Sequence, residues 1–519
     1  MAAGQTKRAA VYDRFWRSEG GGERHAGMIA QVLREDGTSV ELLGHEDTDV
    51  AKLAEHLGLD LSGVTYRRLP DRGDHLLSEV SAEYDLFVNG TYTSRVVPRS
   101  KRAAYLCFFP TPPDHDLPAW RRWAARTLGP VVRGTTPNLD FGAGWFPPEG
   151  GLRRKWIWSS GDAVLTLPAG ARVLRADLGR PGAPDAAELT IVDEDGTVLT
   201  TVPVPQRFAR RKLDLGSSEK GSEVRFTSGT YSPGGSDTRE LGIAMSRPRM
   251  AGKITPRELL AARFPWLHRD PKDLSWLAGY QAVMANSEYT RGWIRTMWDV
   301  DADVLYPPIA TDPLTPVPDA QRELAVLSVG RFFAPGLGHA KRQLEMVETF
   351  GALVRAGQLP GWKMYVVGGM EPSQIPYVAK VKAAAEGLPI EIITNAPRAR
   401  VEQLLSSCAV FWSATGYGED ISKRPWVAEH FGMTTVEAMA GGCVPVVIDC
   451  AGQTEIVRDG VDGYRWSTLE QMGERTVALA GDPVARARLA ASARGRTATY
   501  DEDAFRQRWR TIVQRHGLL

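Results

Sequence analysis

Along the first hundred residues, short apolar runs alternate with stretches whose apolar positions recur every three or four residues. AAVYD, TSVELLG, YDLFVNG and AAYLCFFP are the short runs, and GERHAGMIAQVLRE is an amphipathic stretch between two of them. Short apolar runs suit strands buried on both faces, while a 3.6-residue period suits helices covering a sheet. The alternation between Ala9 and Phe109 therefore predicts βαβ units around a parallel sheet. The rhythm returns after Leu324 in LAVLSVG, KMYVVGG, PIEII, AVFWSA and CVPVVI, separated by helical segments such as RQLEMVETFGALVRAG and YVAKVKAAAEG. Two α/β halves are expected.

From Trp145 to Met250 the texture changes. AELTIVDEDGTVLTTVPV and SEVRFTSGTYSP carry the turn signals DEDG and SPGG and little helical periodicity, which predicts an inserted, β-rich module of sandwich type. ELLAARFPWLH, QAVMANSEYTRGWIRTMW and DVLYPP resume the α/β texture. Pro307 and Pro308, followed by TDPLTPVPDA, read as an interdomain linker, and DEDAFRQRWRTIVQRH predicts a final amphipathic helix. The expected division assigns 1–144 and 251–310 to a first domain, 145–250 to the insert, 311–495 to a second domain and 496–519 to a terminal helix packing back on the first.

Composition narrows the chemistry. At 519 residues the chain is long enough for several domains, at about 150 residues each. Its 63 basic and 62 acidic side chains leave a net charge of +1, so no global field gathers nucleic acid, and nucleic-acid binding is not expected. No apolar run approaches the roughly 18 residues of a membrane span, and MAAGQTKRAAVYD lacks the apolar centre of a signal peptide, so folding in the cytoplasm is expected. Cys107, Cys408, Cys443 and Cys450 lie in or beside apolar runs without CxxC spacing, implying neither zinc nor disulfides. Only 13 of the 63 basic residues are Lys, and with abundant Ala and Gly the composition resembles that of a GC-rich bacterial genome.

The densest motif is EHFGMTTVEAMAGGCVPVV, where seven residues separate Glu429 from Glu437 and a helix is predicted from near Thr434. Backbone amides at a helix start attract anions, so Phe431, Gly432, Met433 and Thr434 suit a phosphate. Thr434 followed by Glu437 equally forms a capping box that satisfies those amides locally. In AWRRWAARTL, Trp120 and Trp123 with Arg121, Arg122 and Arg126 suit an anionic membrane surface, or equally a solvated basic helix with its indoles packed on the sheet.

The EHFGMTTVEAMA stretch resembles the EX7E signature of retaining family 4 glycosyltransferases, which have the GT-B fold. Other segments agree in order. Gly20, Gly21, Gly22, Glu23, Arg24 and His25 resemble that family's glycine-rich loop, and ANSEYTRGWI with YPP resembles the end of its first domain. SVGRF, with Lys341 ten residues after Arg331, resembles its diphosphate clamp. The resemblance covers nearly the whole chain outside the β insert, and it implies two Rossmann-like domains facing a cleft. It implies that Arg331 and Lys341 neutralise the donor diphosphate as the glycosidic bond breaks, with Arg342 placed to share that role. It further implies that Glu429 approaches the donor sugar hydroxyls and that Glu437 binds the nucleotide ribose. Gly21, Gly22, Gly330, Gly416 and the loop Phe431, Gly432, Met433 and Thr434 would complete the donor site, with Gly418 and Glu419 near the cleft and Thr394 and Asn395 near the base. Ser413, where many relatives carry His, and Ala451, where a paired glycine is usual, depart from the pattern, although Glu455 is retained.

The implied activity is a retaining, metal-independent hexosyltransferase using a UDP- or GDP-linked sugar and no cofactor. Its acceptor would be a glycan or lipid-linked glycan of cell-surface polysaccharide or glycolipid synthesis, with peripheral contact to the inner membrane face. Asn89, Thr91, Tyr92 and His115 follow first-half strands and are candidates for the acceptor side. Two other readings remain at this point: a sugar-nucleotide epimerase on the same fold, and a non-catalytic carbohydrate-binding protein that uses the insert.

Overall fold

The apolar runs of the first half become seven parallel strands, in the spatial order Asp303–Val304, Ala282–Ala285, Arg102–Cys107, Leu86–Asn89, Arg8–Tyr12, Ser39–Gly44 and Thr65–Arg68. This computed structural model describes residues 6–519 apart from 19, 70–73, 116, 134–139, 147–148, 151–154, 168–172, 217–221, 235–236, 238, 251–259, 261–263, 269–271 and 336–338. The central strands are fully buried, as continuous apolar runs require. Helix Gly21–Glu35 covers one face through Met28, Ile29, Val32 and Leu33. The last helix, Glu502–His516, adds Phe505, Trp509 and Ile512 to the same core, with Leu518 just beyond it.

The second half forms six parallel strands in the order Ile390–Thr394, Lys363–Gly368, Glu323–Val329, Cys408–Ser413, Val444–Ile448 and Tyr464–Trp466. Chain order reverses between Glu323–Val329 and Cys408–Ser413, and loops leaving the carboxyl ends of such neighbours diverge and open a crevice. The first sheet has its own reversal between Arg8–Tyr12 and Leu86–Asn89.

Between these halves lie two five-stranded antiparallel sheets. Leu174, Leu178, Leu213 and Met245 of one meet Leu165, Leu189, Ile191 and Phe226 of the other in a common core. The first paired strand is Asp140–Phe141, ahead of the Trp145 boundary read from sequence; two residues are too few to leave a periodic signal.

The halves are joined by two adjacent crossings, where the Ile309 N–H donates to the Tyr500 carbonyl at 3.0 Å. Tyr306, Phe431 and Tyr500 pack their rings at 5.0–5.4 Å around this crossing. A third tie is polar. Glu455 of the second half accepts from the backbone N–H groups of Glu288 at 2.9 Å and Tyr289 at 3.3 Å, capping helix Glu288–Trp298 of the first half.

Candidate active site

Arg331 emerges where strand Glu323–Val329 ends, at the reversal point of the second sheet. The turn is tight: a Cβ on Gly368 would stand 2.0 Å from the Gly330 carbonyl oxygen, and one on Gly330 would meet the Lys341 stem at 2.9 Å. Buried Gln343 fixes this backbone, donating to the Gly330 and Arg331 carbonyls at 3.2 and 3.1 Å while Tyr377 donates to its own carbonyl. The Arg331 guanidinium lies 5.4 Å from the centre of the Phe333 ring and, among the described residues, has no ion pair. It is exposed and available to an anion.

Lys341 crosses the same turn and donates to Glu429 at 2.5 Å, and the Thr415 hydroxyl donates to the same carboxylate oxygen at 3.1 Å. Burial pushes the Glu429 carboxyl up, but the Lys341 charge and hydrogen bond, with His339 and Thr415, outweigh it and hold the group below the usual carboxylate range. His339 donates from Nδ1 to the Ala428 carbonyl at 3.0 Å and sits edge-on to His430 at 4.5 Å. Burial lowers the affinity of both rings for a proton. His430 stacks on Phe109 of the first half at 4.3 Å, so the residue after Glu429 joins the two domains.

Helix Met433–Ala440 begins from Gly432, whose φ of 116° belongs to the region that favours glycine. Among the described residues no side chain caps this end, so the capping box that the Thr434–Glu437 spacing allows does not form; the helix starts two residues earlier than that motif requires. Glu437 instead pairs with Arg398 at 3.0 Å, and a ribose diol would have to share that carboxylate. Phe431 points its ring into the Tyr306–Tyr500 cluster, leaving its backbone to the loop. Across the cleft, Gly21 opens helix Gly21–Glu35 so close to Met433 that a Cβ would stand 2.5 Å from its sulfur. A Cβ on Gly22 would reach Phe108 at 3.3 Å. The first turns of the two helices are therefore in contact.

Several expected residues stand elsewhere. Arg342, at a φ of 58°, is held by Glu345 at 3.1 Å and Glu419 at 2.6 Å; two carboxylates neutralise it, and it does not join Arg331 and Lys341. Gly416 and Gly418 both take positive φ, and a Cβ on Gly416 would stand 3.3 Å from the Cys450 sulfur, so the loop after Cys408–Ser413 turns back on its own domain. Asn89 is fully buried and spends its amide on Ser94 and Tyr280, each at 2.9 Å, and on the Thr91 N–H at 3.2 Å. Thr91, also buried, accepts from the Arg14 N–H at 2.8 Å. Neither side chain is open to an acceptor. Tyr92 and His115 are exposed, with Tyr92 bonded to Thr111 at 2.6 Å. Trp120 and Trp123 are 61% and 67% exposed and do not pack on the sheet. Asn395 accepts from the Met370 N–H at 2.8 Å. Gln343, Thr415, His339 and His430 escape sequence reasoning because each works through a partner distant in the chain.

Two Rossmann-like sheets facing across a cleft are the architecture of the GT-B glycosyltransferase fold. Residues 319–490 match the family described as Glycosyl transferases group 1. A GDP-Man:Man(3)GlcNAc(2)-PP-Dol alpha-1,2-mannosyltransferase from Dictyostelium discoideum is 26% identical over 207 residues, 37% of this chain; the aligned part spans 39% of that protein's length. Among solved structures, HepE of Anabaena in complex with UDP and glucose superposes with a TM-score of 0.53 at 13% identity, covering 98% of this chain and 100% of that one. Sucrose-phosphate synthase from Thermosynechococcus elongatus gives 0.51 at 11% identity, covering 98% of both.

Proposed function

We propose that the protein is a retaining, metal-independent glycosyltransferase that moves a hexose from a UDP- or GDP-linked donor to a glycan or lipid-linked glycan in cell-surface polysaccharide or glycolipid synthesis. The observation that carries this reading is the unpaired Arg331 beside the Lys341–Glu429 pair at the reversal point of the second sheet. It is supported by the family match over 319–490 and by the nucleotides named with the similar proteins, UDP in the HepE complex and GDP-Man in the name of the mannosyltransferase.

In the transfer, the bond from the sugar C1 to the β-phosphate oxygen breaks, and its electron pair leaves with the phosphate. Arg331 and Lys341 meet that developing charge, which is where fixed cations lower a barrier most. The acceptor hydroxyl bonds to C1 from the same face, and its proton passes to the departing phosphate oxygen, so the anomeric configuration is kept. Glu429, held ionised by Lys341, accepts from the donor sugar hydroxyls. Glu437 serves the ribose, and the uncapped amides at Met433 and Thr434 face the diphosphate.

Nucleotide release from UDP- and GDP-hexoses in EDTA tests the reading. One nucleotide class should be turned over without metal, and NMR of the transferred sugar should show retention. An absolute metal requirement or an inverted product overturns the corresponding part.

Helix Ala119–Arg133 also supports peripheral contact with an anionic membrane. Trp120, Trp123, Leu128 and Val131 are exposed on a helix that carries Arg121, Arg122 and Arg126. Among the described residues no helix is long and apolar enough to cross a membrane. Sedimentation with vesicles containing anionic lipid should carry the protein down at low salt, and Trp123→Ser should reduce the bound fraction several-fold; equal binding by neutral vesicles contradicts it.

A further inference from the structure

A cavity of about 220 Å³ lies between the domains, walled by Trp293 from the first half and Trp426 from the second, the latter three residues before Glu429. We propose that this cavity is an acceptor subsite for a sugar ring bearing a negative charge; the proposal rests on the glycosyltransferase reading of the adjacent donor site. Each part of the cavity points to that chemistry. Indole faces pack against the C–H faces of a pyranose, and two of them on opposite sides of the cleft would hold one ring.

The polar groups are those of a hydroxyl binder. The Asp114 side chain is 1% exposed; its Oδ2 lies 3.2 Å from Arg126 Nε, and its Oδ1 has no hydrogen-bond partner among the described residues. A buried acceptor without a donor is rare and needs an explanation, and a sugar hydroxyl is the missing donor. His115 Nδ1 lies 2.9 Å from the Pro112 carbonyl, which can only accept, so Nδ1 carries the proton and Nε2 presents a lone pair to a second hydroxyl. His115 is edge-on to Trp426 at 6.4 Å, a contact that spans the two domains.

The charge balance supplies the anion. Among the described residues, Arg122, Arg126 and Lys423 line the cavity against one lining carboxylate, that of Asp114. Arg126 is taken by Asp114, and Lys423 is drawn to Asp420 at 2.7 Å. Arg122 has no ion pair among the described residues, and a carboxylate or phosphate on the sugar would complete it. A uronic acid and a sugar phosphate share this chemistry.

Ligand-observed NMR on the full chain, with glucuronate, glucose 6-phosphate and methyl α-glucoside as probes, tests the subsite. At least one anionic probe should bind about tenfold more tightly than the neutral glucoside, and which one does so distinguishes the two sources. Arg122→Gln should abolish the preference, and Trp426→Leu should weaken every probe about tenfold, while both variants keep the wild-type thermal shift with nucleotide. No preference for an anion, or a preference that survives Arg122→Gln, overturns the subsite. Loss of nucleotide binding with the sugar results intact would overturn the donor reading and leave the subsite standing.

Discussion

At the scale of single residues, the 2.5 Å contact between Lys341 and Glu429 holds the carboxylate of the candidate site in its charged form. Lys341→Met would leave Glu429 with burial as the dominant influence, so its carboxyl should rise toward neutrality, visible by carbon NMR of labelled glutamate, and turnover should fall by about 10²–10³-fold. An unchanged carboxyl would show that the pair does not set the charge state. His25 makes a separate prediction. Its ring lies between Phe108 and Phe505 with neither nitrogen hydrogen-bonded among the described residues, and burial lowers its pKa from the ordinary 6.5 to about 3. Below pH 6.5 the unfolded chain takes up a proton that the folded chain refuses until about 3. Stability is therefore intact above that window and declines through it as pH falls, by up to about 1.4 kcal/mol per unit. Denaturant unfolding at pH 7.5 and 5.5 should show His25→Phe less acid-sensitive than the wild type. Equal sensitivity would mean that other groups dominate. GGGERH marks a strand-to-helix loop, but nothing in it reveals that His25 faces a helix from the far end of the chain.

At the scale of elements, the start of helix Met433–Ala440 tests the donor loop. A Cβ on Gly432 would carry a φ of 116° and stand 2.7 Å from Gln453 Nε2, so Gly432→Ala should cost more than about 1 kcal/mol and weaken nucleotide binding. Gly37→Ala, at a φ of 83° with no atom within 4 Å, is the control and should leave nucleotide binding intact. Glu455→Ala frees the Glu288 and Tyr289 amides of helix Glu288–Trp298, leaving the Ser287 cap on the Thr290 N–H in place, and should cost about 1 kcal/mol in denaturant unfolding. What was legible at this scale was periodic or adjacent. The parallel strands announced themselves as apolar runs, and Arg331 was placed by following one of them. Contacts between distant polar residues left no such trace: Arg342 meets Glu419, 77 residues on, and Asn89 meets Tyr280, 191 residues on. The end of strand Leu86–Asn89 was therefore legible without any sign that Asn89 and Thr91 turn inward while Tyr92 stays exposed. The Thr434–Glu437 spacing fits a capping box equally well, and only the backbone at Gly432 decides against it.

At the scale of the molecule, the GT-B fold expected from the resemblance is the fold found, and its two halves touch where the donor site is proposed. His430 lies on Phe109, Gly21 lies against Met433, and Glu455 caps a helix of the other half. Exclusion of water from the transfer would follow from these contacts tightening around a bound donor. The central claim is that the second half holds a nucleotide diphosphate through Arg331 and Lys341. Its most direct test is thermal unfolding of the full chain in EDTA with UDP, GDP and their hexose conjugates, beside Arg331→Ala and Lys341→Ala. A ligand at about 100 times its dissociation constant adds about 2.7 kcal/mol, a readable rise in the midpoint. The expected result is stabilisation by one nucleotide class in the wild type and its loss in both variants; no stabilisation by any nucleotide, or an equal shift in both variants, would contradict the claim.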